Sequence, residues 1–233
     1  MLRFYTGYAY EATALKELDA LIADRPSLRV EGNIEGWRHL VLVTQRGLLR
    51  ENPTDSPPPY EYPLLFYYDA DLLIIVAEDK RIVDHVRGVT LGRVLPATVR
   101  HAFVDVDQLV NHLLEWSVVE NSSHDDAPPY VLSYVHAQTI AFEPQLKSAM
   151  FFGDDIGEAG MFRNIRPLLR CAVCGMRPSD GPEVLRVGTD GSLSFALPDR
   201  GQRVRLRLTA AAIAYVRGNQ FYRYRGGEDA THR

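Results

Sequence analysis

The feature that most limits what this chain can fold into is the shortness of its apolar runs. The greasiest, Leu72–Ala77 (LLIIVA), has 6 residues. A membrane-spanning helix needs about 20. Runs of this size separated by turn residues read as strands packed into a sheet. With 46% apolar and 24% charged residues, the 233-residue chain has the composition of a globular protein and is long enough for a substantial core.

Reading along the chain, residues 2–10 form an expected strand. Residues 11–23 form an expected helix, with Leu15, Leu18, Leu21 and Ile22 at helical spacing and Pro26 stopping it. Strands at 28–32 and 39–44 complete a β-α-β-β opening, compatible with a ferredoxin-like half and with other α+β folds. Residues 51–61 form a loop stiffened by Pro57, Pro58 and Pro59. Strands at 63–68 and 72–77 meet at Asp69-Ala70-Asp71. A helix at 80–86, a strand at 101–106 and a helix at 108–119 follow. Beyond a loop at 121–129 come a strand at 130–142 and a helix at 155–170 that Gly160 weakens. Strands are expected at 184–187, 192–197, 204–208 and 221–225, with a short helix at 210–216. The expected fold class is α+β: a mixed sheet with a few helices, followed by a basic β-rich C-terminal segment. The expected organisation is an acidic core over 1–160, a basic segment over 161–225 and a loose tail over 226–233.

The first 25 residues carry Arg3, Glu11, Lys16, Glu17, Asp19 and Asp24, so no uncharged secretory core fits there. With only two cysteines, nothing demands an oxidising compartment, and a cytoplasmic location without membrane contact is the expectation. Arg outnumbers Lys by 23 to 3. That bias suits a GC-rich bacterial or phage genome.

Charge is divided unevenly. Residues 1–160 hold 13 Lys+Arg against 24 Asp+Glu, a balance of -11, and 161–225 hold 12 Arg against 4 acidic residues, a balance of +8. The tail contributes -1, giving the net -4 of the whole chain. On the expected strand at 204–208, Arg203, Arg205 and Arg207 would share one face and Val204, Leu206 and Leu208 the other. Three buried unpaired guanidiniums are untenable, so that face must be solvated, paired or laid along phosphates. Tyr222, Arg223, Tyr224 and Arg225 interleave rings with cations, a pattern suited to stacking on bases and holding a backbone.

Cys171-Ala-Val-Cys174-Gly175 is the sharpest local pattern, since two thiolates spaced C-x-x-C can grip one side of a tetrahedral zinc. The stretch 170–177 resembles the first zinc knuckle of HNH-type nucleases. The resemblance covers that stretch alone: no cysteine follows, and the next histidine is His232. Nuclease activity is therefore not carried over. A complete zinc site would need ligands such as His136, or a second chain giving its own pair. Read structurally, the pair is two small side chains at a turn.

Asp105 and Asp107 flank the end of a strand, and Asp69 and Asp71 form a similar pair. Carboxylates so placed can hold a divalent cation for phosphoryl chemistry. Capping of a helix by Asp107 and a hairpin at Asp69–Asp71 explain the same residues without chemistry. Asp155 with Glu158 resembles a capping box. No P-loop, dinucleotide fingerprint, nucleophile elbow or H-E-x-x-H motif is present. The preferred reading is a non-enzymatic intracellular regulatory protein, contacting nucleic acid or an acidic protein partner through Arg203, Arg205, Arg207, Tyr222, Arg223, Tyr224 and Arg225. The alternatives are a metal-dependent phosphodiesterase using Asp69, Asp71, Asp105 and Asp107, and a self-associating scaffold or homo-oligomer.

Overall fold

A computed structural model describes residues 2–12, 22, 25–45, 48, 59–69, 71–91, 99–116, 129–140 and 147–224. The helix expected over 11–23 lies outside them except at residues 11, 12 and 22. Most of the two loops, the 226–233 tail and Arg225 also lie outside.

The elements begin with β1 (Leu2–Ala12), β2 (Leu28–Ile34), β3 (Trp37–Thr44), β4 (Tyr60–Asp69) and β5 (Leu72–Ala77). Next come α1 (Lys80–His85), β6 (Val99–Val104), α2 (Val106–Trp116), β7 (Val131–Thr139) and β8 (Ser148–Phe152). Then follow α3 (Gly160–Ile165), β9 (Leu169–Arg177), β10 (Leu185–Gly188), β11 (Ser192–Pro198), α4 (Gln202–Gly218) and β12 (Tyr222–Tyr224). The mixture is α+β. Among the described residues no helix is long and apolar enough to cross a membrane. The chain forms two compact units: Met1–Ala102 with Ala196–Ala210 and Tyr224–Arg233, and Phe103–Phe195 with Ala211–Arg223. The charge boundary at residue 160 falls inside the second.

In the first unit antiparallel strands run in the order β2–β3–β4–β5–β1, with Val99–His101 of β6 beside the end of β1. A two-residue turn joins β2 to β3. Its residues Glu35 (φ 53°) and Gly36 (φ 81°) are both left-handed, the geometry whose twist matches the flanking strands. All of β5 is buried, which explains why its run is unbroken rather than alternating. One face packs Leu73 and Ile75 with Tyr8, Tyr10, Leu40, Leu42, Leu64 and Phe66, and Ile82 and Val83 of α1 join them. At Gly7 the backbones of β1 and β5 come so close that a Cβ would lie 1.8 Å from the Ile75 carbonyl oxygen, so any side chain would push the strands apart. On the other face Trp37 is fully buried, and its Nε1 donates to the Leu206 carbonyl at 3.1 Å. That bond ties the first half of α4 to the sheet.

In the second unit the order is β11–β10–β9–β7–β8, again antiparallel. Leu109, Val110 and Leu113 of α2 are buried, and α2 packs on β9 and β7.

Two expected elements are corrected. The single helix over 155–170 is instead a 3-10 turn at Ile156–Glu158, the short α3, a second turn at Arg166–Leu168, and the start of β9. Pro167, with no amide hydrogen to donate, sits in the turn where the chain leaves the helix. The strand at 204–208 is the opening of α4, which also absorbs the helix expected at 210–216. β8 and β9 carry no strict alternation in sequence, so local pattern does not mark them as strands.

Candidate functional site

α4 forms because its buried residues recur at helical, not strand, spacing: Leu206, Thr209, Ala212, Ile213 and Val216. Arg, Leu and Ala are strong helix formers, and the stretch is built largely from them. The helix closes with Gln220 in the left-handed region (φ 60°), where its amide donates to the Arg217 carbonyl and that of Phe221 to Val216. This is a Schellman-type cap.

The change from strand to helix regroups the arginines. Arg203 and Arg207, four residues apart, lie on one face and are exposed. Arg205 turns away and is half-buried, whereas Val204, expected in a core, is 51% exposed. Arg200, just before the helix, is exposed as well. The first turn of α4 carries no acidic residue. The helix dipole already makes this end positive, so the helix itself does not stabilise cations here. Arg203 reaches the Glu35 carboxylate only at 3.8 Å, with its own side chain 78% exposed.

Arg166, Arg186 and Arg223 behave differently. Asp105 accepts from the Gln108 amide at 3.1 Å and so caps α2, and its other oxygen pairs with Arg223 at 3.0 Å. Asp105, not Asp107, is therefore the cap. Asp107 Oδ1 accepts from Arg166 Nη2 and from the Cys171 amide, each at 2.9 Å. Arg166 also donates to the carbonyls of Asp107 and Leu169, at 3.1 and 2.9 Å. Arg186 pairs with Glu183 at 2.6 Å and lies over the Tyr134 ring. Tyr222 is buried, so its ring offers no open face for stacking. The Tyr224 side chain and Arg225 lie outside the described residues.

Cys171 and Cys174 sit within β9, not at a turn, and both are fully buried. A bulge puts them on the same side: Cys174 faces Val135 and Val173 faces His136, yet Cys171 faces Ala137, so Ala172 is the extra residue. Burial pushes both thiols up, that of Cys171 to about 12. They pack as small apolar groups, and neither can meet a second chain's pair without opening the core.

Asp69 closes the β4–β5 hairpin opposite Leu72, and Asp71 lies in its turn. They belong to the first unit, and Asp105 and Asp107 to the second. Among the described residues no three His, Cys, Asp or Glu side chains are grouped to hold a metal ion. Asp155 caps the Ile156–Glu158 turn by accepting from the Gly157 amide at 2.8 Å, and burial raises its carboxyl. Burial also lowers His39 and His85. One cluster escaped the sequence reading. His101 packs against the rings of Tyr8 and Tyr10 at 5.3 and 4.9 Å and receives the Arg87 guanidinium, while Lys80 stands 4.7 Å from the Tyr8 ring centre. Alternation of Tyr8 and Tyr10 along β1 was its only signal.

No protein-family model matches this chain, and no curated protein matches it either.

Proposed function

We propose that this chain is a non-enzymatic intracellular binding or regulatory protein that holds nucleic-acid phosphates through Arg203 and Arg207 of α4, assisted by Arg200. One observation carries the reading: two exposed guanidiniums share a face at the positive end of a helix whose first turn has no acidic residue. Guanidinium forks suit phosphate oxygens, and the helix end adds to the same field. The contact set is smaller than the sequence suggested. Arg223 is engaged by Asp105 and Tyr222 is buried, which leaves backbone contact rather than base stacking as the mode.

The test is binding of the full chain to labelled single- and double-stranded DNA, followed by anisotropy across a salt series. We expect log affinity to fall against log salt with a slope of about -2 to -3. The double variant Arg203→Glu with Arg207→Glu should weaken binding at least ~10-fold, about 1.4 kcal/mol. Absence of binding at low salt, or full affinity in the double variant, would overturn the proposal. Binding to polyglutamate but not to DNA would move the reading to an acidic protein partner.

A further inference from the structure

The second unit's sheet ends at β8, and among the described residues no strand pairs with its outer side. An edge of this kind presents a row of backbone donors and acceptors, and proteins usually blunt such edges with charge, proline or a bulge. β8 (Ser-Ala-Met-Phe-Phe) has none of these. Instead it exposes two large apolar side chains on one face, Met150 at 66% and Phe152 at 84%. Phe151 points the other way and packs edge-on against Phe162 at 5.0 Å.

The hydrogen-bond phase of the edge can be read from its inner side. Thr139 donates to the Lys147 carbonyl at 3.2 Å, and Gly153 donates to the Ser133 carbonyl at 3.1 Å. Bonded pairs alternate along an antiparallel ladder, so residues 149 and 151 bond inward to β7. The amides and carbonyls of Ser148, Met150 and Phe152 therefore point outward.

We propose that two copies of this chain associate by antiparallel pairing of β8 with β8, about a twofold axis at Met150. In this register Met150 faces Met150 of the second copy, and Ser148 faces its Phe152. Every outward-pointing residue of the strand then meets another outward-pointing residue, and each pair exchanges two N–H···O bonds. A shift by one residue would set outward groups against inward ones.

The charges at the strand ends fit the same geometry. Lys147 precedes β8 and Asp154 follows it after Gly153, and both are exposed. Antiparallel pairing sets the Lys147 end of each strand against the Asp154 end of the second copy's strand, so the charges at both ends of the pair are opposite in sign. Parallel pairing would set Lys beside Lys and Asp beside Asp. Gly153, directly opposite Lys147, brings no side chain to crowd that end. The result is an isologous interface that closes on itself and does not propagate into a fibre. It uses none of the arginines assigned to the phosphate-binding surface.

Sedimentation velocity of the full chain over a concentration series tests this. We expect a reversible monomer–dimer equilibrium. Met150→Lys places two cations face to face on the axis and should raise the dimer Kd at least ~10-fold, with the melting temperature of the monomer unchanged because the side chain is already solvated. Lys147→Glu should raise Kd by about 3–10-fold, and adding Asp154→Lys should restore it by reversing both charges together. A monomer at every concentration would sink the proposal, as would a dimer indifferent to Met150→Lys. Failure of the double charge reversal to rescue the single one would reject the register and the interface built on it.

Discussion

Arg203 and Arg207 face solvent on the opening turns of α4, whereas Arg166 and Arg223 close on Asp107 and Asp105 at the start of α2. Both sets come from the same basic stretch of sequence. The difference lies in what each finds within reach. Around α2 two carboxylates already serve the backbone, one capping the helix and one taking the Cys171 amide, and each arginine completes a partly used acceptor. At α4, Arg203 meets the Glu35 carboxylate only at 3.8 Å. A net charge of +8 over 65 residues is therefore not a surface property. Part of it is structural, and the solvated remainder is what a ligand can meet.

The comparison can be broken most sharply at the closed end. Native Cys171 and Cys174 should react with alkylating reagents at least ~10³-fold more slowly than unfolded thiols, because exposure requires global opening of a domain typically stable by 5–15 kcal/mol. Labelling followed by mass spectrometry measures this, and fast labelling under native conditions would show that the Asp107 neighbourhood is open. Next in size, Arg166→Ala removes a guanidinium whose side chain is only 12% exposed and strands the Asp107 carboxylate. A loss of about 2–4 kcal/mol is expected from urea unfolding, with the half-exposed Asp107 keeping the figure below that of a fully buried pair. Asp105→Ala should cost about 1 kcal/mol through the lost cap, while Asp105→Asn keeps the cap and isolates the exposed Arg223 contact at a few tenths. Smallest of all, Arg203→Ala and Arg207→Ala should each shift stability by less than about 0.5 kcal/mol, and Arg203→Glu should stay within the same range, its gain at the helix N-terminus being offset by repulsion from Glu35. A large loss from either alanine variant would place those residues in the same structural class as Arg166.

Much of the strand framework was readable from short apolar runs and turn residues, as β3, β5, β10 and β11 illustrate. These strands carry their own period or an unbroken apolar run, so local pattern and tertiary burial agree. Where the pattern is interrupted the reading failed. β9 hides its alternation behind the bulge at Ala172, which returns Cys171 and Cys174 to one face although they are three residues apart. The start of α4 misled in the opposite sense. Arg-Val-Arg-Leu-Arg-Leu alternates cleanly, yet Leu206, Thr209, Ile213 and Val216 set the longer period that decides the element. The alternating sequence drew one face through Arg203, Arg205 and Arg207, and the helix divides that set, leaving Arg203 and Arg207 exposed and Arg205 half-buried.

The amino-acid order by itself settled composition, charge balance, the absence of a long apolar span in the described helices and the identity of most strands, because each is a property of neighbouring residues. Only the folded chain decided which arginines are consumed. Asp107 meets Arg166, 59 residues away, and Asp105 meets Arg223 from the far end of the sequence. An ion pair depends on distance in space, and residues so distant along the backbone are brought together by sheet order and burial, which no local window records.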